Sequence, residues 1–175
     1  MSGRNIGIVL VVIWAALLPA VAAAQQFPRL QEENLDGRQV VLPDAVAGRV
    51  TVLVVGFSHA SSTPSGAWAK RVQDDFGKTP NFALYQLAVI EDAPRMIRGM
   101  ITSGMKKGVP ENQRAYMVPV VHQEAELKKL VNYGAADDAY IVVLDRNGKV
   151  VWQTHGSTAG AAYDELHTKV QALIR

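Results

Sequence analysis

The residues best suited to chemistry begin in the segment 56–60, which reads Gly-Phe-Ser-His-Ala. In α/β-hydrolases, a Gly-x-Ser-x-Gly turn between a strand and a helix exposes a nucleophilic serine. Ser58 holds the serine position, and Asp137 or Asp138 together with His155 could complete a triad. The fifth position is alanine, and only about 30 residues of the expected processed chain precede Ser58, too few for the early strands of that fold. The pattern favours polar residues that cap a helix, with a weak serine hydrolase as the alternative.

Histidine offers no recognisable metal motif in this sequence. The four histidines are His59, His122, His155 and His167, and no two have the i, i+4 spacing of a helical metal site. His59 differs from the others because it shares the loop of Ser58. A metal-dependent activity at His59 is therefore the second form of the enzyme alternative, and the sequence itself predicts neither a metal nor a cofactor.

The chain contains no cysteine. Disulfides, thiolate metal sites, iron–sulfur clusters and thiol catalysis are therefore excluded, whatever the fold. The 175 residues suit one domain plus a targeting segment, and 18 basic against 16 acidic residues give a formal charge of +2. Such a balanced charge argues against a nucleic-acid partner, because that affinity comes from neutralising phosphates.

Residues 1–24 have the three-part pattern of a signal peptide. Arg4 is the only charge, an apolar run spans 6–18, and Ala22 and Ala24 provide the small residues that precede a cleavage site. Cleavage before Gln25 is expected, with an uncleaved anchor as the alternative because 6–24 carries no charge. Either form predicts an exported domain, periplasmic or anchored to the outer face of the inner membrane, that comprises residues 25–175.

The elements that must position these residues alternate between strand and helix patterns. The β-branched run at 50–57 lacks alternation and predicts a strand buried on both faces, and the Asn-Gly turn at 147–148 predicts a hairpin. The polar segment 25–34 is expected to be frayed, and 35–43 is expected to form a short strand or hairpin. Further strands are predicted at 82–90, 117–121, 139–144 and 149–154, and helices at 63–76, with Thr63 as the N-cap and Pro64 at the first position, and at 94–107, 123–131 and 159–174.

This order resembles the thioredoxin-like fold of exported thiol-disulfide and peroxiredoxin-type proteins. The motifs are Leu35-Asp36-Gly37 before the Val-rich strand that ends in Phe57, and the run Leu144 to Val150, which matches an I-D-x-x-G-x-V hairpin. The resemblance implies an α/β three-layer sandwich with a central mixed sheet flanked by helices. It also places the Cys-x-x-Cys positions of these families on Ser62 and Ser65, and their cis-proline on Ala139. Because serine has no disulfide chemistry, oxidoreductase and peroxidase activities are excluded.

A closer resemblance is to the thioredoxin-like branch that contains the mitochondrial ATP-synthase assembly factor and its bacterial relatives. It rests on the Val-Gly-Phe-Ser strand end, on the Met- and Arg-bearing segment 96–107, and on Asp137-Asp138-Ala139-Tyr140 before the hairpin. The expected function is protein binding without redox activity, as an accessory or chaperone-like factor for a membrane or periplasmic complex.

The segment 95–114 is the leading candidate for contact with a partner. It contains five basic residues and one acidic residue, a net charge of +4, and docking to an acidic protein or to anionic lipid headgroups is the functional interpretation. The apolar stripe of the same segment is interpreted either as core or as an adaptable partner surface. The predicted contact residues are Arg95, Arg98, Met100, Lys106 and Lys107, and the stripe comprises Met96, Ile97, Met100, Ile101 and Met105.

Overall fold

The computed structural model describes residues 25–175, so the predicted signal peptide or anchor at 1–24 lies outside the described residues. Within the described part, no helix is long and apolar enough to cross a membrane. The strands are β1 (Leu30–Glu33), β2 (Gln39–Leu42), β3 (Val50–Gly56), β4 (Phe82–Val89), β5 (Met117–Val120), β6 (Ala139–Leu144) and β7 (Val150–His155). The helices are α1 (Ser62–Phe76), α2 (Arg95–Gly108), α3 (Glu111–Arg114), α4 (Glu124–Leu130) and α5 (Ala161–Ile174), and a short 3₁₀ turn spans Asp44–Val46.

Five strands form the central sheet in the order β5-β4-β3-β6-β7. Strand β3 pairs in parallel with β4 and antiparallel with β6, so the sheet is mixed as expected. Strand β3 is central because its β-branched residues are buried on both faces from Val50 to Val55. The parallel β3–α1–β4 unit and the antiparallel β6–β7 hairpin agree with the sequence patterns.

The sheet is the middle of three layers. On one face, Trp68 and Val72 of α1 pack with Tyr163 and Leu166 of α5 against β3 and β6. On the other face, α4 and the β1–β2 hairpin cover a second cluster that includes Leu127. This is the α/β thioredoxin-like sandwich that the resemblance implied.

The expected fraying of 25–34 is wrong. Phe27 and Leu30 are buried, and β1 pairs antiparallel with β2. The preceding residues join the β6–β7 turn region, where Phe27 N–H donates to the carbonyl of Gly148 and Val150 N–H donates to that of Gln25. A polar local pattern does not reveal this ordering, because the partners lie more than 100 residues away along the chain.

Helix α1 begins at Ser62, one residue before the predicted N-cap Thr63. Pro64 is therefore the third helical residue, where its missing N–H is still tolerated because the first-turn amides have no partner inside the helix. The displacement arises from a closed turn between Ser58 and Ser61 that sets the start of the helix.

Candidate functional site

The loop between β3 and α1 is closed by reciprocal hydrogen bonds between two serines. Ser58 N–H donates to Ser61 Oγ at 3.2 Å, and Ser61 N–H donates to Ser58 Oγ at 3.0 Å. The Ser61 hydroxyl also donates to the Ser58 carbonyl at 2.8 Å. A Cβ atom on Gly56 would lie 2.6 Å from Ser61 Oγ, so only glycine permits this close approach at the end of β3. The loop is thus held by its own side chains.

The structure brings Ser58 together with Asp137, one of the two aspartates named with it in the hydrolase hypothesis. The Ser58 hydroxyl donates to Asp137 Oδ1 at 2.8 Å, which joins the serine loop to the loop before β6. His59 is exposed, and its backbone carbonyl accepts a hydrogen bond from the Ser62 hydroxyl at 2.6 Å. Asp138 pairs instead with His155, whose Nδ1 lies 2.7 Å from Asp138 Oδ2.

The serine–histidine–carboxylate arrangement of the hydrolase hypothesis is not assembled around Ser58. Within residues 25–175, Ser58 Oγ is hydrogen-bonded to the Asp137 carboxylate and to the N–H of Ser61, and no histidine nitrogen is bonded to it. The same part of the chain contains no group of three histidine, aspartate or glutamate side chains that could hold a metal ion.

The loop at 133–138 is fixed around the hydroxyl of Tyr140. This hydroxyl accepts from the N–H groups of Gly134 and Ala135 at 2.9 and 2.8 Å, and it donates to the carbonyl of Ala135 at 2.9 Å. The Tyr140 ring is fully buried and stacks against His155 and Tyr133. Because Ala139 stands where the resemblance placed a cis-proline, these three hydrogen bonds now shape the loop.

A groove of about 860 Å³ lies beside the serine loop. Its floor is formed by the carboxyl ends of β3 and β4 and the start of α1, and its roof by α2. Apolar side chains predominate, with a few polar groups near the serine loop, which is the usual composition of ligand sites. The lining includes Phe57, Ser58, Ser65, Leu87, Val89, Ile101, Met105 and Met117.

The hydroxyl group of Ser65, at the floor of this groove, has no hydrogen-bond partner among the described residues. The side chain is buried, with 8% of the residue surface exposed. Ser62, in the same helical turn, is exposed. Both serines predicted at the former redox positions line the groove, but Ser62 is exposed and Ser65 is buried.

A network of acidic side chains borders the opposite end of the groove. Glu124 is buried and accepts from the N–H of Asp92 at 3.2 Å, while its own N–H donates to Glu91 Oε2 at 2.6 Å. Lys128 pairs with Glu124 and Asp92, and the hydrogen bond to Glu124 raises the pKa of its ammonium group. The network joins the β4–α2 loop to α4, so the base of the groove is rigidly connected.

Helix α2 has no buried residue, so the interpretation of its stripe as core is wrong. Met96 is 96% exposed and Met100 is 73% exposed, whereas Ile101 and Met105 are half-buried along the groove. The residues of the stripe differ in exposure because one side of α2 covers the groove and the other side faces solvent.

The predicted basic contact residues also differ in exposure and in their hydrogen bonds. Arg98 is half-buried and donates to the backbone carbonyls of Ala93 and Glu91, so its guanidinium ties α2 to the preceding loop. Arg95, Lys106 and Lys107 are exposed. Sequence patterns missed the groove, because its lining comes from six separate elements: β3, β4, β5, α1, α2 and α4. The Ser-x-x-Ser spacing at 58–61 was the one local signal for the closed turn.

Fold and site together define a thioredoxin-like protein without the cysteines of a redox centre. A family model described as ATP10 protein matches residues 20–173. The chain therefore belongs to this family of ATP-synthase assembly factors. Membership fits an accessory role. No curated protein matches the chain in sequence.

Solved structures agree on the fold. BsSco, a member of the Sco family of cytochrome c oxidase assembly proteins, has 11% identity and a TM-score of 0.59 over 87% of this chain and 95% of its own. The exposed lipoprotein thioredoxin Etrx1 of Streptococcus pneumoniae has 13% identity and a TM-score of 0.60, and the match covers 83% of this chain and 100% of Etrx1. A Chlorobium tepidum protein described as thiol:disulfide interchange protein DsbE has 17% identity and a TM-score of 0.58, and the match covers 87% of this chain and 97% of that protein.

Proposed function

We propose that this chain is a redox-inactive, exported accessory protein that binds an apolar segment of a membrane-complex subunit in the groove between α2 and the serine loop. The observation that carries the proposal is the groove itself. It adjoins Ser62 and Ser65, which the family resemblance places at the former cysteine positions, and it offers an apolar cavity of about 860 Å³. Membership of an assembly-factor family supports a chaperone-like role.

The chemistry of the groove favours a segment with exposed apolar side chains. Ile101 and Met105 supply adaptable apolar contact from the roof, since methionine packs against varied shapes. The membrane sector of ATP synthase is the first candidate partner because of the family to which the chain belongs.

Two helical glycines allow a matched test of the groove. Gly104 of α2 lines it and Gly66 of α1 does not, and a Cβ atom at either position meets nothing within 4 Å. Gly104→Trp therefore fills the groove, while Gly66→Trp makes the same change at an exposed helical position outside it. Both changes remove a helix-weakening glycine, so their backbone effects are matched.

The assay is affinity purification of each tagged full-length variant from native membranes, with co-purified subunits identified by mass spectrometry. Gly104→Trp is expected to lose subunits that the native chain and Gly66→Trp both retain. If all three recover the same subunits in equal amounts, the groove is not the binding site.

Export is tested separately, because it rests on residues 1–24. A fusion of residues 1–30 to a reporter that works only outside the cytoplasm is expected to be active, and the processed chain is expected to begin at Gln25. A full-length chain retained in the cytoplasm would contradict the exported part of the proposal and leave the groove test standing.

A further inference from the structure

Three of the four exposed large apolar side chains of the described residues lie on α2. Met96, Ile97 and Met100 are 96%, 41% and 73% exposed, and the fourth, Tyr116, lies beyond α3 and is 46% exposed. Elsewhere in residues 25–175 the large apolar residues are buried or half-buried. Such a concentration marks an interaction surface.

Free positive charge occupies the same region. Arg95, Lys106 and Lys107 are exposed, and none has an ion-pair partner among residues 25–175. Arg98 and Arg114 are instead bonded to backbone carbonyls. The charge available to a partner therefore comes from the two ends of α2, about 18 Å apart at 1.5 Å per residue.

Helical geometry puts these groups on one face. At 100° per residue, Arg95, Met96, Met100, Lys106 and Lys107 fall within roughly 140° of one another. Gly99 and Ser103 lie among them, so small residues surround the two methionines. The opposite side of α2 is the groove roof. We call the outer side, defined by these five residues, the α2 outer face.

We propose that the α2 outer face docks on an anionic lipid bilayer. Met96 and Met100 enter the boundary between headgroups and acyl chains, and Arg95, Lys106 and Lys107 contact phosphate groups at both ends of the helix. The charge on the helix selects anionic over neutral headgroups. A fluid bilayer also conforms to a single convex helix, whereas a specific protein interface needs about 800 Å² of complementary surface on each partner.

The inference goes beyond the groove function and stands even if the groove binds nothing. If both hold, the docked helix places the groove within about one helix diameter, 10–12 Å, of the lipid headgroups. A subunit segment that leaves the bilayer would then reach the groove directly.

The absence of cysteine permits a local probe in the full-length chain. Met100→Cys, labelled with a fluorophore that brightens in an apolar environment, reports insertion of the α2 outer face, and Gln171→Cys on α5 is the remote control. The label at 100 is expected to brighten several-fold with vesicles of 70% phosphatidylcholine and 30% phosphatidylglycerol, and not with phosphatidylcholine alone. The label at 171 is expected to stay unchanged, so insertion of the leader is not mistaken for docking of α2.

Charge reversal provides the matched comparison in the labelled chain. Arg95, Lys106 and Lys107 changed to Glu are expected to lower the partition coefficient at least about 100-fold, since each basic residue near an anionic surface contributes about fivefold. The same change at three exposed lysines remote from α2 alters the net charge equally and is expected to have little effect. The control positions are Lys78, Lys129 and Lys149.

Three outcomes overturn the inference. These are an unchanged label at 100, equal brightening with neutral vesicles, and equal loss of partitioning in the two charge-reversed chains. Brightening with soluble polyglutamate but not with vesicles would assign the face to an acidic protein instead. Because the assay contains only purified protein and lipid, it can fail while the groove test succeeds, and the reverse is also possible.

Discussion

Replacing Ser65 with alanine is expected to stabilise the protein, although the residue is buried at the start of a helix. The Ser65 hydroxyl has lost its contact with water and gained no partner among the described residues. Burying an unpaired hydroxyl costs about 1–3 kcal/mol, and Ser65→Ala removes that cost. The methyl group that remains fills most of the space, so the loss of dispersion contacts is limited to one oxygen atom.

The neighbouring serine provides the opposite expectation. Ser61 is equally buried, but its hydroxyl accepts from the Ser58 N–H and donates to the Ser58 carbonyl. Ser61→Ala leaves both groups without that partner and is expected to lower the free energy of unfolding by about 1–3 kcal/mol. Ser65→Ala is expected to raise it by about 1–2 kcal/mol, which includes the better helix propensity of alanine.

Urea denaturation followed by circular dichroism measures both changes, and thermal melting gives a second reading. For a domain of this size, 1 kcal/mol corresponds to about 2–4 °C in Tm. The reasoning is refuted if Ser65→Ala destabilises the protein as much as Ser61→Ala does. The Ser65 hydroxyl would then have a partner in solution, such as a bound water.

Three further changes test other parts of the structure. Burial and the hydrogen bond to Asp75 raise the pKa of Tyr163 above its ordinary 10.0. The free energy of unfolding therefore falls as the pH rises above about 10, because the tyrosine ionises in the unfolded chain before it ionises in the folded one. Tyr163→Phe is expected to flatten the decline in urea midpoint between about pH 9 and pH 11, and an equal decline in the variant would contradict this. Ser62→Cys combined with Ser65→Cys is expected to form an intramolecular disulfide under mild oxidant, detected by thiol titration, and two free thiols in a folded double variant would show that the assignment of the redox positions is wrong. Tyr140→Phe removes three hydrogen bonds and is expected to lower stability by about 2–4 kcal/mol and to speed amide exchange at 133–138, whereas unchanged exchange would mean that other contacts fix the loop.

The fold could be predicted from the sequence because its strongest signals are local. The uninterrupted β-branched run of β3 and the Asn147-Gly148 turn each determine an element by themselves. Pairing of the polar segment before Leu35 could not be predicted, because Phe27 and Leu30 are ordered by contacts with distant parts of the chain.

The candidate site was predicted less completely. Ser58 and Asp137 were each named as candidate residues from the sequence, and the structure joins them by a hydrogen bond. The exposure of Met96 could not be predicted, because the periodicity of an amphipathic helix is the same whether its apolar side covers a core or roofs a groove. Only the height of α2 above the sheet decides between the two, and that height depends on the β4–α2 loop.

Since α2 buries no residue completely, its detachment from the body would expose only the half-buried Ile101 and Met105 and the apolar lining of the groove. Opening of this helix is therefore expected to be a sub-global event, with a free energy below that of complete unfolding and a weaker dependence on denaturant concentration. The Arg98 bonds to Ala93 and Glu91 act near the first turn of α2, so the end at Gly108 is expected to lift first. Amides of α2 would then exchange long before those of β3. The groove could widen to admit a bulky segment while the sandwich stays folded, so breadth of binding need not reduce the stability of the domain.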